Sequence, residues 1–298
     1  MQNLLDHVSI GHPVTRAGVS FFPVYVHGGQ IPVTTGPDAG IIISERPDAQ
    51  VPTLVAHNPT PNHVLLCEGE TVTGGRQSRT LNVSVLIPAG QTIDIPVSCV
   101  EQGRWSGGRE FGRGKTYVSR RVRREKVRGV AESVKYGTKY SDQSGVWNVV
   151  DYELNRLHRT SNTGSFIAAE QVLDEDSTVA EALAALIKLG PLPGQCGFVI
   201  AHGSRIVAAD VFATPELLGA QWEALVRTAL LDAPEAIHGT PSATKALRFL
   251  RTFSATAGEV VPGAGLGNEH HITSRRIVGQ ALVWDGVLVH TSAFAVAA

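Results

Sequence analysis

From Val8 to about Trp105 the chain is a series of short β-branched and aromatic runs: "VSFFPVYV", "GIIIS", "TLVAH", "HVLLCEGE", "LNVSVLIP" and "TIDIPVSCV". Such residues suit a pleated, half-buried backbone. Clusters of Gly, Pro and Asn, such as "HGGQ", "NPTPN" and "PAGQ", separate the runs and supply turns. Several runs are only five to eight residues long. Strands this short, with turns this frequent, predict a sandwich or barrel rather than a parallel sheet covered by helices.

After Arg128 the period lengthens. "SGVWNVVDYELNRLHR" puts Val146, Val150, Leu154 and Leu157 at spacings of four, four and three, one stripe of an amphipathic helix. A second helix is predicted in "DSTVAEALAALIKLG", capped by Asp176 or Ser177 and stopped by Gly190 and Pro191. A third starts at Thr214, with Pro215 in its first turn, and a fourth at Ser242. "GFVIAHGSRIVAADV" reads as two strands around a tight turn. The closing "GQALVWDGVLVHTSAFAV" reads as a hairpin turning at Asp285-Gly286.

The expected fold class is therefore α+β: an N-terminal β-sandwich or barrel-like region packed with a C-terminal helix-rich α+β region. Its expected parts are residues 1–115, β-rich; 116–145, a basic connector with scope to move; and 146–298, an α+β region packed into one unit with the first.

Composition narrows the class. With 298 residues, 43% of them hydrophobic, the chain can bury a sizeable core. Its longest apolar runs are too short and too polar to span a bilayer, so no membrane partner is expected. The start "MQNLLDHVSIGHP" lacks the basic and apolar stretches of a signal peptide, which makes the cytoplasm the expected location. Cys67, Cys99 and Cys196 form no C-x-x-C, so neither a disulfide framework nor a zinc ribbon is suggested.

The net charge of -1 hides an asymmetry: Arg104 to Arg128 holds ten Lys or Arg against two Glu. Such a stretch attracts phosphates if it is solvated, and knits to acidic groups if it is packed.

Candidate chemistry gathers in "LCEGETVTGGRQSRTLNVSVLIP" and the decapeptide "PVSCVEQGRW" that follows "TIDI". If the strands are antiparallel neighbours, Glu68, Glu70, Gln77, Arg79, Glu101 and Arg104 meet at one end of the β-structure. Arg76, Arg79 and Arg104 offer forked donors to a phosphate or carboxylate, Gln77 and Gln102 add amide contacts, and Trp105 offers a ring to stack on. Glu70 and Glu101 would take hydroxyls or activate a water; Cys99 would be the nucleophile if a cation lowered its pKa. The structural alternative is that Glu101 and Arg104 pair with Arg79 and Glu70 to tie strand ends, with Cys99 a small buried hydrophobe.

The histidines are less telling. In a strand "GNEHHITS" sets Glu269 and His271 on one face and His270 on the other, and His290 and His202 lie in or beside hairpins. None shows a local zinc spacing, so no metal site is expected, and no pattern names a cofactor. The glycine-rich "GRWSGGREFGRGK" and "VPGAGLGNEHH" lack the context of a phosphate-binding fingerprint and read as loops.

Assembled, "CEGETVTGGRQSRTLNVSVLIPAGQTIDIPVSCVEQGRW", "SDQSGVWNVV", "GFVIAHGSRIVAADVF" and "HTSAF" resemble the ARPP-1 family, named for association with ADP-ribosylglycohydrolase and rhodanese-phosphatase proteins. The resemblance runs through most of the chain and is most specific at Gln77, Arg79, Cys99, Glu101, Gly103, Arg104 and Trp105. It implies a fold and a genomic setting rather than a mechanism.

Three functions follow from these readings. The leading one is a polar site for a small anionic, nucleotide-like molecule of ADP-ribose or NAD metabolism, with or without a reaction. The second is a non-enzymatic scaffold or homo-oligomer. The third is nucleic-acid binding through "RRVRREKVR".

Overall fold

The computed structural model describes residues 5, 7–26, 31–233, 236 and 238–296; the "HGGQ" turn expected at 27–30 lies outside them. Six strands, Ile42–Ser44, Thr53–His57, Glu70–Gly74, Arg79–Leu81, Thr92–Cys99 and Glu110–Tyr117, close into a barrel. In Thr53–His57 the expected period of two is plain: Leu54 and Ala56 are buried, and their neighbours are half-buried. Ile43, Leu54, Val72, Leu81 and Ile95 join one packed cluster, so the barrel is filled by side chains.

The remaining described strands form a three-stranded sheet, Val85–Ile87, His63–Leu66 and Val33–Thr35, and a nine-stranded one. Val19–Tyr25, from the N-terminal part, pairs with Gly197–His202, which is followed in order by Arg205–Phe212, Val287–Ala295, Ile277–Trp284 and Asn268–Thr273. The closing strands thus share one sheet with an N-terminal strand. Along Gly197–His202, Phe198 and Ile200 enter one core cluster and Val199 and Ala201 another. Burial on both faces explains why this strand reads as an unbroken apolar run.

Six α-helices among the described residues complete the α+β architecture: α1 Arg120–Ser133, α2 Gln143–Arg156, α3 Val172–Glu175, α4 Ser177–Leu189, α5 Pro215–Leu231 and α6 Ala243–Ala255. Their starts follow the capping chemistry. The Asp176 carboxylate accepts the Thr178 and Val179 N–H groups, Thr214 accepts that of Leu217, and Ser242 that of Lys245. The last hairpin turns at Asp285 (φ 51°) and Gly286 (φ 75°), the paired left-handed conformation of a tight two-residue turn. Helix α6 buries Phe249, Leu250 and Phe253 in the cluster that contains Val199, Ala209 and Val211, each side chain contributing roughly 1.5–3 kcal/mol.

Residues 116–145 depart from the connector expectation. Ser119 accepts the Val122 N–H and starts α1, whose inward face carries Val122, Arg123, Lys126, Val127 and Val130. Arg123 Nη2 lies 2.9 Å from Glu68 Oε2 and 2.6 Å from Asp210 Oδ1. Lys126 Nζ donates to Glu68 Oε1 at 2.6 Å, and Ser292 Oγ to Glu68 Oε2 at 2.8 Å. The Arg123 guanidinium also lies 5.0 Å from the Tyr117 ring centre and 4.9 Å from that of Phe294. Helix α1 is therefore a wedge between the barrel, next to Glu68, and the sheet that carries Asp210. Its acidic partners lie 55 and 87 residues away in sequence, outside any local pattern. With Arg123 and Lys126 enclosed and Arg128 donating to Glu125, "RRVRREKVR" does not present its charges as one solvated tract, as the nucleic-acid reading required.

No described helix is long and apolar enough to cross a membrane.

Candidate functional site

The strand Glu70–Gly74 leads through Gly74 (φ 108°) and Gly75 (φ 49°) into the turn before Arg79. A Cβ on Gly75 would stand 2.1 Å from the Phe111 ring, so the turn requires glycine there. Arg79–Leu81 then pairs antiparallel with the end of Thr92–Cys99, placing Cys99 opposite Arg79 and Ser98 opposite Thr80. Past Cys99 the chain crosses the barrel mouth to residues 163–166: Gly103 N–H donates to Thr163 O at 2.7 Å and Phe166 N–H to Val100 O at 2.9 Å. Gln77, Arg79, Cys99, Glu101, Arg104 and Trp105 thus gather at one end of the barrel.

Glu101 is held from four sides. Its Oε2 accepts the Ser78 N–H (2.9 Å), the Ser78 hydroxyl (2.8 Å) and Arg104 Nη2 (2.7 Å), and its Oε1 accepts the Thr163 hydroxyl (2.9 Å). Burial alone would raise the carboxyl, but Arg104, Ser78 and Thr163 bring it down to about 2. Arg104 also donates to the carbonyls of Gly75 (2.8 Å), Ser106 (2.7 Å) and Gly74 (3.1 Å). One guanidinium therefore clamps both the glycine turn and the decapeptide.

Arg79 is the opposite case. The residue is 0% exposed, and its Nε donates to Val51 O at 3.2 Å, but Nη1 and Nη2 are buried without a hydrogen-bond partner among the described residues. Burial pushes this guanidinium below its ordinary range. Its carbon lies 5.7 Å from the centre of the Trp105 ring, and that of the exposed Arg76 5.5 Å. Trp105 is itself 44% exposed, so the indole sits between Arg79 and solvent. Gln77 Oε1 and Glu45 Oε2 are buried and unpartnered in the same way, while Glu45 Oε1 accepts the Arg76 N–H at 3.0 Å.

A family model matches residues 7–294: ARPP-1, the ARG and Rhodanese-Phosphatase-superfamily-associated Protein domain. The chain belongs to the ARPP-1 family. Neither a curated protein nor a solved structure matches it.

In this ARPP-1 chain the Cys99 residue is fully buried, and burial pushes its thiol up. Its backbone is bound reciprocally to Gln143 of α2, N–H to Oε1 at 2.9 Å and O from Nε2 at 2.8 Å, which anchors the strand end to that helix. Gln102 is exposed.

Glu68 and Glu70 do not join the group, contrary to the expected gathering. Glu70 pairs with Tyr117 at the far end of the strand whose near end, Gly74, pairs with Phe111. Four residues at about 3.4 Å each separate the two ends. There Glu70 receives the Cys67 N–H (2.6 Å), Gln221 Nε2 (3.0 Å) and an ion pair from Arg113. It lines a cleft of about 530 Å³ between the barrel and α5, together with Lys115, Tyr117 and Gln221. Glu68 is taken up by α1.

His271 and His290 are held in structural pairs. His271 Nε2 lies 3.0 Å from Glu269 Oε2 on the buried face, while His270 is half-buried on the other; His290 Nδ1 shares a 2.7 Å hydrogen bond with Ser84. Sequence reasoning missed Glu45, Ser78 and Thr163. Ser78 stood within the quoted turn, whereas Glu45 and Thr163 reach the site only through barrel closure and the crossing at 163–166.

Proposed function

We propose that this ARPP-1 protein binds a small anionic, nucleotide-like molecule of ADP-ribose or NAD metabolism at the barrel end formed by Arg79, Arg76 and Trp105. The observation that carries this reading is Arg79, a buried cation whose two terminal nitrogens have no partner among the described residues. A buried unpaired donor is unfavourable by about 1–3 kcal/mol, and more for a charged group, so folding retains such a group at a stability cost. The freed fork matches the bidentate geometry of a phosphate or carboxylate. Trp105, half exposed above it, offers a face to a base or nicotinamide ring and must shift to admit the anion. The family's description, with its ARG and phosphatase associations, is in keeping with a phosphorylated ligand.

The reading is one of binding. Glu101 is held by four donors at a pKa of about 2, a poor base at neutral pH, and the Cys99 thiol is raised rather than activated. Arg104 and Glu101 then shape the site without touching the ligand, and Gln77 Oε1 is available to a ligand hydroxyl.

The test is thermal unfolding with ADP-ribose, NAD and AMP, using the wild type and Arg79→Met. A ligand present at ~100 times its Kd stabilises by about 2.7 kcal/mol. The wild type should gain several degrees from at least one of the three, and Arg79→Met distinctly less. An equal gain in both proteins, or none in the wild type, contradicts the proposal.

A further inference from the structure

A second cationic hollow lies away from the barrel end, where the start of α1, the last turn of α2 and the turn between Gly197–His202 and Arg205–Phe212 converge. This cleft, about 460 Å³, is lined by Arg120, Arg121, Arg156 and Arg205 with His202 and Tyr152. The described acids beside it are already engaged. Asp232 accepts the Arg120 N–H (2.9 Å) and pairs with Arg121 Nη1 (2.6 Å). Buried Glu153 pairs with Arg121 (3.1 Å) and Arg156 (2.8 Å). Four guanidiniums thus face two carboxylates among the described residues.

The excess is visible atom by atom. Arg120 Nε is buried without a hydrogen-bond partner, 3.9 Å from Asp232 Oδ2, and His202 Nε2 is likewise buried and unpartnered. Exposed Arg205 makes no ion pair with any described residue. Burial, followed by the repulsion of Arg121, Arg124 and Arg205, pushes Arg120 below its ordinary range. Beside these charges the Tyr152 residue is 55% exposed, with the Arg121 guanidinium 5.9 Å from the centre of its ring.

We infer that this cleft is a separate binding site for a phosphorylated small molecule carrying at least two negative charges, its phosphates held by Arg120, Arg205 and His202 and any ring lying on Tyr152. The volume falls within the range of small-ligand sites, about 300–1,000 Å³. Guanidinium forks and a histidine N–H match phosphoryl oxygens, and an anion offsets the mutual repulsion of the arginines. The enclosure favours a small ligand over a nucleic-acid backbone, which would follow a stripe of cations along the surface.

Titration calorimetry on the full chain tests this with inorganic pyrophosphate and ADP. Both should bind the wild type. Arg205→Glu should weaken pyrophosphate at least tenfold while keeping the wild-type melting temperature, because Arg205 is exposed and forms no ion pair with a described residue. Tyr152→Ala should weaken ADP but not pyrophosphate. Arg79→Met should retain pyrophosphate binding, which separates this site from the barrel end. The inference is overturned if Arg205→Glu binds pyrophosphate as the wild type does, if only Arg79→Met abolishes binding, or if the wild type binds neither probe. It is also overturned if a DNA duplex binds and pyrophosphate does not compete.

Discussion

Lys126 Nζ donates to Glu68 Oε1 at 2.6 Å with both side chains fully buried, and Arg123 joins the same carboxylate to Asp210 of the sheet. The pair anchors the wedge helix to the barrel, and removing one member strands the other's charge. Glu68→Gln should lower unfolding stability by about 3–5 kcal/mol. The double variant Glu68→Gln/Lys126→Met should lose less than the sum of the single changes, because the stranded ammonium is gone. Urea denaturation of the four proteins checks this, and additive losses would show the two residues to be independent.

Arg104 serves three backbone carbonyls and Glu101 together. Arg104→Ala should cost about 2–4 kcal/mol, since it leaves Glu101 buried without its cation and frees the glycine turn. Arg104→Lys should recover less than half of that loss, because a point ammonium cannot span the same acceptors. Full recovery by lysine, read from chemical denaturation, would reduce Arg104 to a simple charge.

The fold was legible where information is local. The 3.6-residue stripe at Val146, Val150 and Leu154, the caps Thr214 and Ser242 and the Asp285-Gly286 turn each act within a few residues. The basic run misled because the partners of Arg123 and Lys126 are Glu68 and Asp210, supplied by other elements. The candidate site was legible only in part. Adjacency in "GGRQSR" and "SCVEQGRW" brought Arg79, Glu101 and Arg104 together, but Glu70 went to the other end of its strand, a matter of length and register rather than residue type. The arginine cleft draws on positions 120, 121, 156 and 205, which no spacing relates.

Burial, reinforced by Arg120, Arg121 and Arg205 and opposed by Asp232, pushes His202 from its ordinary 6.5 to about 4. The unfolded chain accepts a proton between those values and the folded chain does not, so this stability is present above pH ~6.5 and lost as pH falls toward ~4. Glu101, lowered from 4.5 to about 2, adds its loss over a more acidic window. His202→Asn should flatten stability against pH between ~6.5 and ~4.5 and leave the slope below that intact. An unchanged slope in the upper window would remove His202 from the account.

Arg79→Met separates ligand binding from folding. It deletes a buried cation that makes one hydrogen bond among the described residues, to Val51 O, and replaces it by an apolar chain of similar length. The variant without ligand should be as stable as the wild type or more stable, by up to about 2 kcal/mol. A loss above ~2 kcal/mol in guanidinium denaturation would mean that Arg79 has a structural partner and stays for the fold alone.

The central claim, that an anion seats on Arg79 beneath Trp105, is tested most directly by nuclear magnetic resonance of the indole N–H groups. The chain has four Trp, so four resonances arise, and Trp105→Phe assigns the relevant one. Titration with ADP-ribose should shift the Trp105 signal saturably and leave the other three in place; in Arg79→Met the Trp105 signal should stay fixed as well. A Trp105 signal that stays fixed at millimolar ADP-ribose, or moves equally in Arg79→Met, would contradict the claim.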